Sequence, residues 1–137
     1  MSRQLFDSFS TFDDFLVYFA VAVVLLVAFI VVYIRATPWS EFALIREGNM
    51  AAAFSLTGAV LGFVAPLAAV VQHSVNVVDM AIWGLIALVV QVLAFVVVKL
   101  ALPNLARDIP ANNGAAGFVL GSLSLAVGLL NAACMSY

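Results

Sequence analysis

Four long runs without a charged side chain govern what this chain can fold into. Residues 15–34 (FLVYFAVAVVLLVAFIVVYI) carry no Asp, Glu, Lys or Arg. The same holds from Met50 to about Val71, from Met80 to Val98 with one Gln, and from Gly114 to Met135 with Asn131 near its end. A helix of about 20 residues covers the roughly 30 Å of bilayer hydrocarbon. Strands at that depth must close into a barrel, whose segments alternate polar and apolar residues. No such alternation occurs here. The runs therefore predict an all-α membrane protein with four transmembrane helices, built as one integral membrane domain over residues 1–137.

Composition agrees. Of 137 residues, 66% are hydrophobic and 9% charged, whereas a soluble domain carries roughly 25% charge. A soluble fold, a disordered chain and a basic nucleic-acid binder are excluded. The first run is too long for the apolar region of a signal peptide, and acidic residues (Asp7, Asp13, Asp14) precede it. It reads as a retained helix, with residues 1–12 as an interfacial lead-in or a short first-turn extension.

Basic residues cluster. Arg35 and Arg46 follow the first run, and Lys99 and Arg107 follow the third; only Arg3 lies elsewhere. The positive-inside bias predicts both basic loops in the cytoplasm and both termini outside, that is, periplasmic. Tyr33 and Trp39 would anchor the inner boundary, and Tyr18, Trp83 and Tyr137 the outer one.

The halves align at an offset of 64. NMAAAFSL at 49–56 lies over NGAAGFVL at 113–120, Ile45 over Ile109, and Arg35 over Lys99. A two-helix unit repeated in the same direction implies a parallel duplication, with repeat 1 at about 13–72 and repeat 2 at about 78–137. The first and third helices read as bulky on every side, the second and fourth as small-residue helices. Gly114, Gly117, Gly121, Ser124, Gly128 and Asn131 share one face of the fourth. Ala51, Ser55, Gly58, Gly62, Ala65 and Ala69 form a stripe on the second. Such stripes let backbones approach closely in lipid. Under the repeat offset they stand about two residues apart, which predicts different directions and two separate interfaces. The helix-packing candidates are Gly58, Gly62, Gly114, Gly117, Gly121 and Gly128.

Polar residues inside the runs are few. Asp13 or Asp14, Asn49, Asp79 and Asn113 stand where helices should start and read as N-caps. Pro66 cannot donate to Gly62, so it is a candidate kink or hinge. Gln91, near the midplane, and Asn131 are the candidate intramembrane polar groups, read first as hydrogen-bonding glue between helices. His73 and Cys134 are one His and one Cys, short of the three or four ligands of a metal site. No charged residue lies inside a run, which argues against a proton pump, a voltage sensor or an intramembrane acid–base enzyme. The chain reads as a non-enzyme without cofactor.

Thr37-Pro38, Glu41, Leu44-Ile45, Asn49, Ala51-Ala52, Gly58, Leu61-Gly62 and Pro66-Leu67 resemble the YjfL-type inner-membrane proteins. The stretch from Ala115-Ala116-Gly117 through Gly121 to Asn131 and Met135 is similar too. The resemblance implies a bacterial inner membrane, four helices, a duplicated two-helix domain of no agreed activity, and possible membrane-envelope protein partners. Two functions compete. One is an oligomerising scaffold or partner-binding module in the bilayer, a homo-oligomer. The other is a pore or transporter-like subunit for a neutral or weakly charged solute, its path lined by Gln91, Asn131, Ser55, Thr57, Ser122 and Ser124. Convergence of those side chains on one cavity would favour the second, and their dispersal the first.

Overall fold

A computed structural model describes residues 1–135. Four long helices form the bundle: α1 (Ser2–Ala36), α3 (Met50–His73), α4 (Val77–Ala101) and α6 (Gly114–Met135). Each has the length and hydropathy of a membrane span. Two short helices, α2 (Glu41–Arg46) and α5 (Leu105–Asp108), lie in the two basic loops. Tyr137, an expected outer anchor, lies outside the described residues.

The long helices differ in how they start and how far they reach. α1 begins at Ser2, so residues 2–12 extend the helix, by about three turns rather than one, and are not a lead-in; neither Asp13 nor Asp14 is a cap. Its polar side chains there bond back to their own helix, as in Thr11 Oγ1 to the Asp7 carbonyl at 2.8 Å. At 35 residues α1 is about 52 Å long, against roughly 33–37 Å for the other three. Asn49 caps α3 by accepting from Ala52 N at 2.9 Å, and Asn113 accepts from Ala116 N at 3.3 Å. The cap of α4 is Asn76, not Asp79. Asn76 accepts from Asp79 N at 2.8 Å, and the Asp79 carboxylate returns to Val75 N at 3.0 Å. This pairing is a variant of the capping box, the acid reaching the residue before the cap, and it starts the helix three residues upstream of the expected cap.

The two basic loops meet at one end of the bundle, here termed the basic end. The chain leaves α2 through Gly48, at φ +83°, with Asn49 N bonded to Leu44 O at 2.9 Å. Past α5 the same turn is made by Asn112, at φ +59°, with Asn113 N bonded to Asp108 O at 3.0 Å. Both are helix ends closed by a left-handed residue, and they stand 64 residues apart. Asn112 does what glycine cannot. Its Oδ1 accepts from Met50 N at 2.9 Å and Ala51 N at 3.3 Å. Asn49 Nδ2 answers by donating to Ile109 O at 2.9 Å. The loop of α5 therefore supplies the first turn of α3 with hydrogen bonds.

The core centres on α3, which touches every other long helix and packs most extensively on α6. Both helices start at the basic end, so they run parallel. A Cβ on Gly117 would strike the backbone of Ala51; on Gly58 that of Gly121; and on Gly128 that of Gly62. The two small-residue stripes thus face each other in one seam, not in two separate interfaces. The repeat offset compares positions along the chain. It does not fix how each helix turns about its own axis, and packing turns both stripes inward because that gives the closest backbone approach. Gly114 lies outside the seam, since a Cβ there meets nothing within 4 Å. α4 is also not bulky on every side: Leu25 of α1 fills the space over Gly84.

Candidate functional site

The intramembrane polar residues do not converge on one cavity; of them, Thr57 and Ser122 share an open cleft beside Gly58 and Gly121. Gln91 is buried on α4, and its Nε2 donates to Ser124 O of α6 at 2.8 Å, beside Gly62 of α3. It ties α4 to the seam at the point where glycine leaves room for an amide. Ser55 turns its hydroxyl onto Ala52 O of its own helix at 3.0 Å. Thr57 and Ser122 lie on the exposed flank of the seam. Asn131 is half-buried toward the far end of α6, its Nδ2 without a partner among the described residues. Pro66 is buried inside α3, which continues through it to His73. The Gly62 carbonyl that Pro66 cannot bond faces Gly128, where any Cβ would occupy its place. The candidate hinge is thus packed against the tightest point of the seam.

The chemically unusual residues lie instead at the basic end. Pro38 stops α1, because its ring forbids the preceding residue from the helical region. Thr37 closes the helix: its N–H donates to Tyr33 O at 3.0 Å, and its hydroxyl lies 3.0 Å from Ile34 O and 3.3 Å from Trp39 O. That turn folds α2 back over the bundle. Trp39 comes to rest against Phe95 of α4, ring centroids 5.9 Å apart and edge to face. Phe95 also meets Tyr33 edge to face at 5.4 Å, and Phe29 stacks on Phe63 at 4.6 Å. Aromatic rings from α1, α3 and α4 thereby make a floor at this end.

Glu41 opens α2 on top of that floor and is 0% exposed. Neither carboxyl oxygen has a hydrogen-bond partner, and neither do the Tyr33 hydroxyl and the Trp39 indole N–H, all of them buried. Tyr33 lies close enough to feel the charge of Glu41 and neighbours Ser55 of α3. No basic group pairs with Glu41; the one ion pair among the described residues is the exposed Arg107–Asp108 contact at 3.8 Å. Burial pushes the carboxyl up to about 7, and nearby Trp39 and Thr37 only partly oppose the rise. An acid in this setting binds a proton far more readily than one in water.

Sequence reasoning missed this cluster. A lone Glu in a short loop reads as a solvated charge, and Glu41 entered only as part of a family resemblance. The signal was the offset of 64, which places Glu41 over Leu105. Leu105 opens α5 and is 2% exposed. Each short helix thus opens on a buried residue, Glu41 in α2 and Leu105 in α5, and the two stand 64 residues apart.

The family model described as Domain of Unknown Function (DUF350) matches residues 5–135. The UPF0719 inner membrane protein YjfL of Escherichia coli strain K12 is 40% identical over 134 residues, covering 98% of this chain and 99% of that protein. The UPF0719 transmembrane protein YshE of Bacillus subtilis strain 168 is 30% identical over 118 residues, covering 82% and 84%. No solved structure matches. Four apolar spans, the basic-end loops and these full-length likenesses lead to one assignment: the chain belongs to the DUF350 family of UPF0719 proteins and is a multi-pass protein of the bacterial inner membrane.

Proposed function

We propose that the protein is a partner-binding module within the bilayer, a scaffold that assembles with further copies of itself. One observation carries this reading. Residues 2–17 of α1 are exposed throughout, and its buried residues are Leu25, Phe29 and Tyr33, toward the other end of the helix. Phe6, Phe9, Phe12, Phe15 and Phe19 are all exposed. The small-residue seam is used up between α3 and α6, so assembly falls to α1 and to the apolar groove between α4 and α6 lined by Leu93, Val97, Leu123 and Val127. Dispersal of Gln91, Ser55, Thr57, Ser122 and Asn131 supports a binding role over a solute path, which needs hydrogen-bonding groups in register.

Disulfide cross-linking in native membranes tests it. With Cys134 replaced by Ser, a single cysteine at Phe12 or Phe19 is expected to link two copies of the chain. A cysteine at Phe63, buried in the core, is expected not to. Failure of both α1 positions to cross-link, with a monomer on native mass spectrometry, would remove α1 as an assembly surface.

A further inference from the structure

We propose that Glu41 is a proton-binding site, and that losing its proton releases α2 and the first basic loop from the bundle. The site is built from three elements. Glu41 comes from α2, Tyr33 from α1, and the floor beneath from Phe95 of α4. The carboxyl is fully buried with both oxygens unpartnered. An ionised carboxylate so placed has no cation beside it and only the Trp39 and Thr37 side chains near it, short of the hydrogen bonds that burial of a charge demands. A protonated carboxyl is neutral and needs far less.

The surrounding groups select the ligand. Among the described residues Tyr33 is the titratable side chain that feels the carboxyl; Thr37 adds a hydroxyl and Trp39 an indole N–H, and Arg35, Arg46 and Lys99 form no ion pair with it. The indole N–H of Trp39 can only donate. A metal cation would be repelled by that donor and would want several oxygens, so a proton suits the site and a sodium ion does not. Leu105, the buried residue that opens α5, shows that a short helix at this end docks with an apolar residue there. The acid is thus dispensable for packing, and what it adds is a dependence on pH.

The linkage has a definite sign. Undocked in water, Glu41 titrates near its ordinary value of 4.5; docked, near 7. Docking therefore takes up a proton. It is strongest below about pH 4.5, weakens as pH rises toward 7, and levels off above. Between pH 5 and pH 8.5 the docking equilibrium changes by roughly 50- to 100-fold.

Hydrogen exchange of the 44–47 amides, which are the hydrogen-bonded ones of α2, reads this directly. The full chain is held in lipid nanodiscs and corrected for intrinsic rates. Protection is expected to fall by roughly 50- to 100-fold between pH 5 and pH 8.5. In Glu41→Gln and in Glu41→Leu the profile is expected to be flat. A flat wild-type profile, or an unchanged slope in a folded variant, would overturn the site. Infrared difference spectra of the wild type need no variant: a protonated carboxyl band is expected to vanish between pH 6 and pH 8.5. Its absence at pH 6 would overturn the proposal. So would a shift of the wild-type transition on adding sodium chloride in place of choline chloride, because that marks a cation site.

Discussion

At the scale of single residues, two buried polar side chains behave in opposite ways. Gln91 spans a gap that glycine opens: Nε2 reaches Ser124 O, while Oε1 is left without a partner. Ser124 O also lies within the helical ladder of α6, so deleting the amide does not orphan it. Gln91→Leu is therefore expected to lower stability by about 1 kcal/mol or less, measured by thermal unfolding in mild detergent. Gln91→Glu, which buries a charge against a carbonyl, should cost several times more. A Leu variant losing as much as the Glu variant would show that the amide is a keystone. Gln91 was legible because one amide stands out in an apolar run. Glu41 was not, because among loop residues nothing local marks a carboxyl as buried. Its burial comes from α2 folding back through Thr37 and Pro38, and that contact links segments the sequence keeps apart.

At the scale of elements, apolar run length was enough to place four helices, since hydrocarbon thickness sets it. Where each helix starts depends on caps, which run length does not reveal. Asn76 and Asp79 form a box that begins α4 at Val77, and the polar face of residues 2–14 is as compatible with helix as with lead-in. Small-residue stripes were also legible, but not their mutual rotation. In the seam, Gly121 lies against Phe54 O and Gly58, and Gly128 against the Gly62 carbonyl released by Pro66. Gly121→Leu and Gly128→Leu must push the backbones of α3 and α6 apart, which nothing flexible can absorb. Each is expected to lose several kcal/mol, of the order of an overpacked core or more. Leu123→Ala, on an exposed flank, should stay within about 0.5 kcal/mol. Because the seam joins α3 to α6 inside one chain, the loss should appear in the thermal stability of the monomer. Loss of cross-linking between copies without a drop in that stability would place the glycines at an interface instead.

At the scale of the whole molecule, the basic end concentrates what is polar and specific. It holds both short helices, the mutual capping of Asn49 and Asn112, the aromatic floor and the buried acid. Arg35 and Lys99, in the last turns of α1 and α4, and Arg46 and Arg107, on α2 and α5, lie at the same end. Such a cluster of cations next to spans resists translocation, so this end is expected in the cytoplasm. The cluster is also suited to anionic headgroups, at about 1 kcal/mol for each cation near the surface. Topology then follows with no freedom left, because four spans put both termini on the opposite side. Alkaline phosphatase fused after Gln72 or after Met135 should be active, as befits the periplasm. Fusions after Phe42 or after Ala106 should be inactive there and fluorescent with a cytoplasmic reporter. Reversing the cluster gives the sharper test. With Arg35, Arg46, Lys99 and Arg107 changed to Gln and two Lys placed in the 74–76 turn, the bias inverts and the fusions should exchange behaviour. An unaltered pattern in that variant would mean that something other than these four charges orients the protein, and the long apolar α1 would become the element to test.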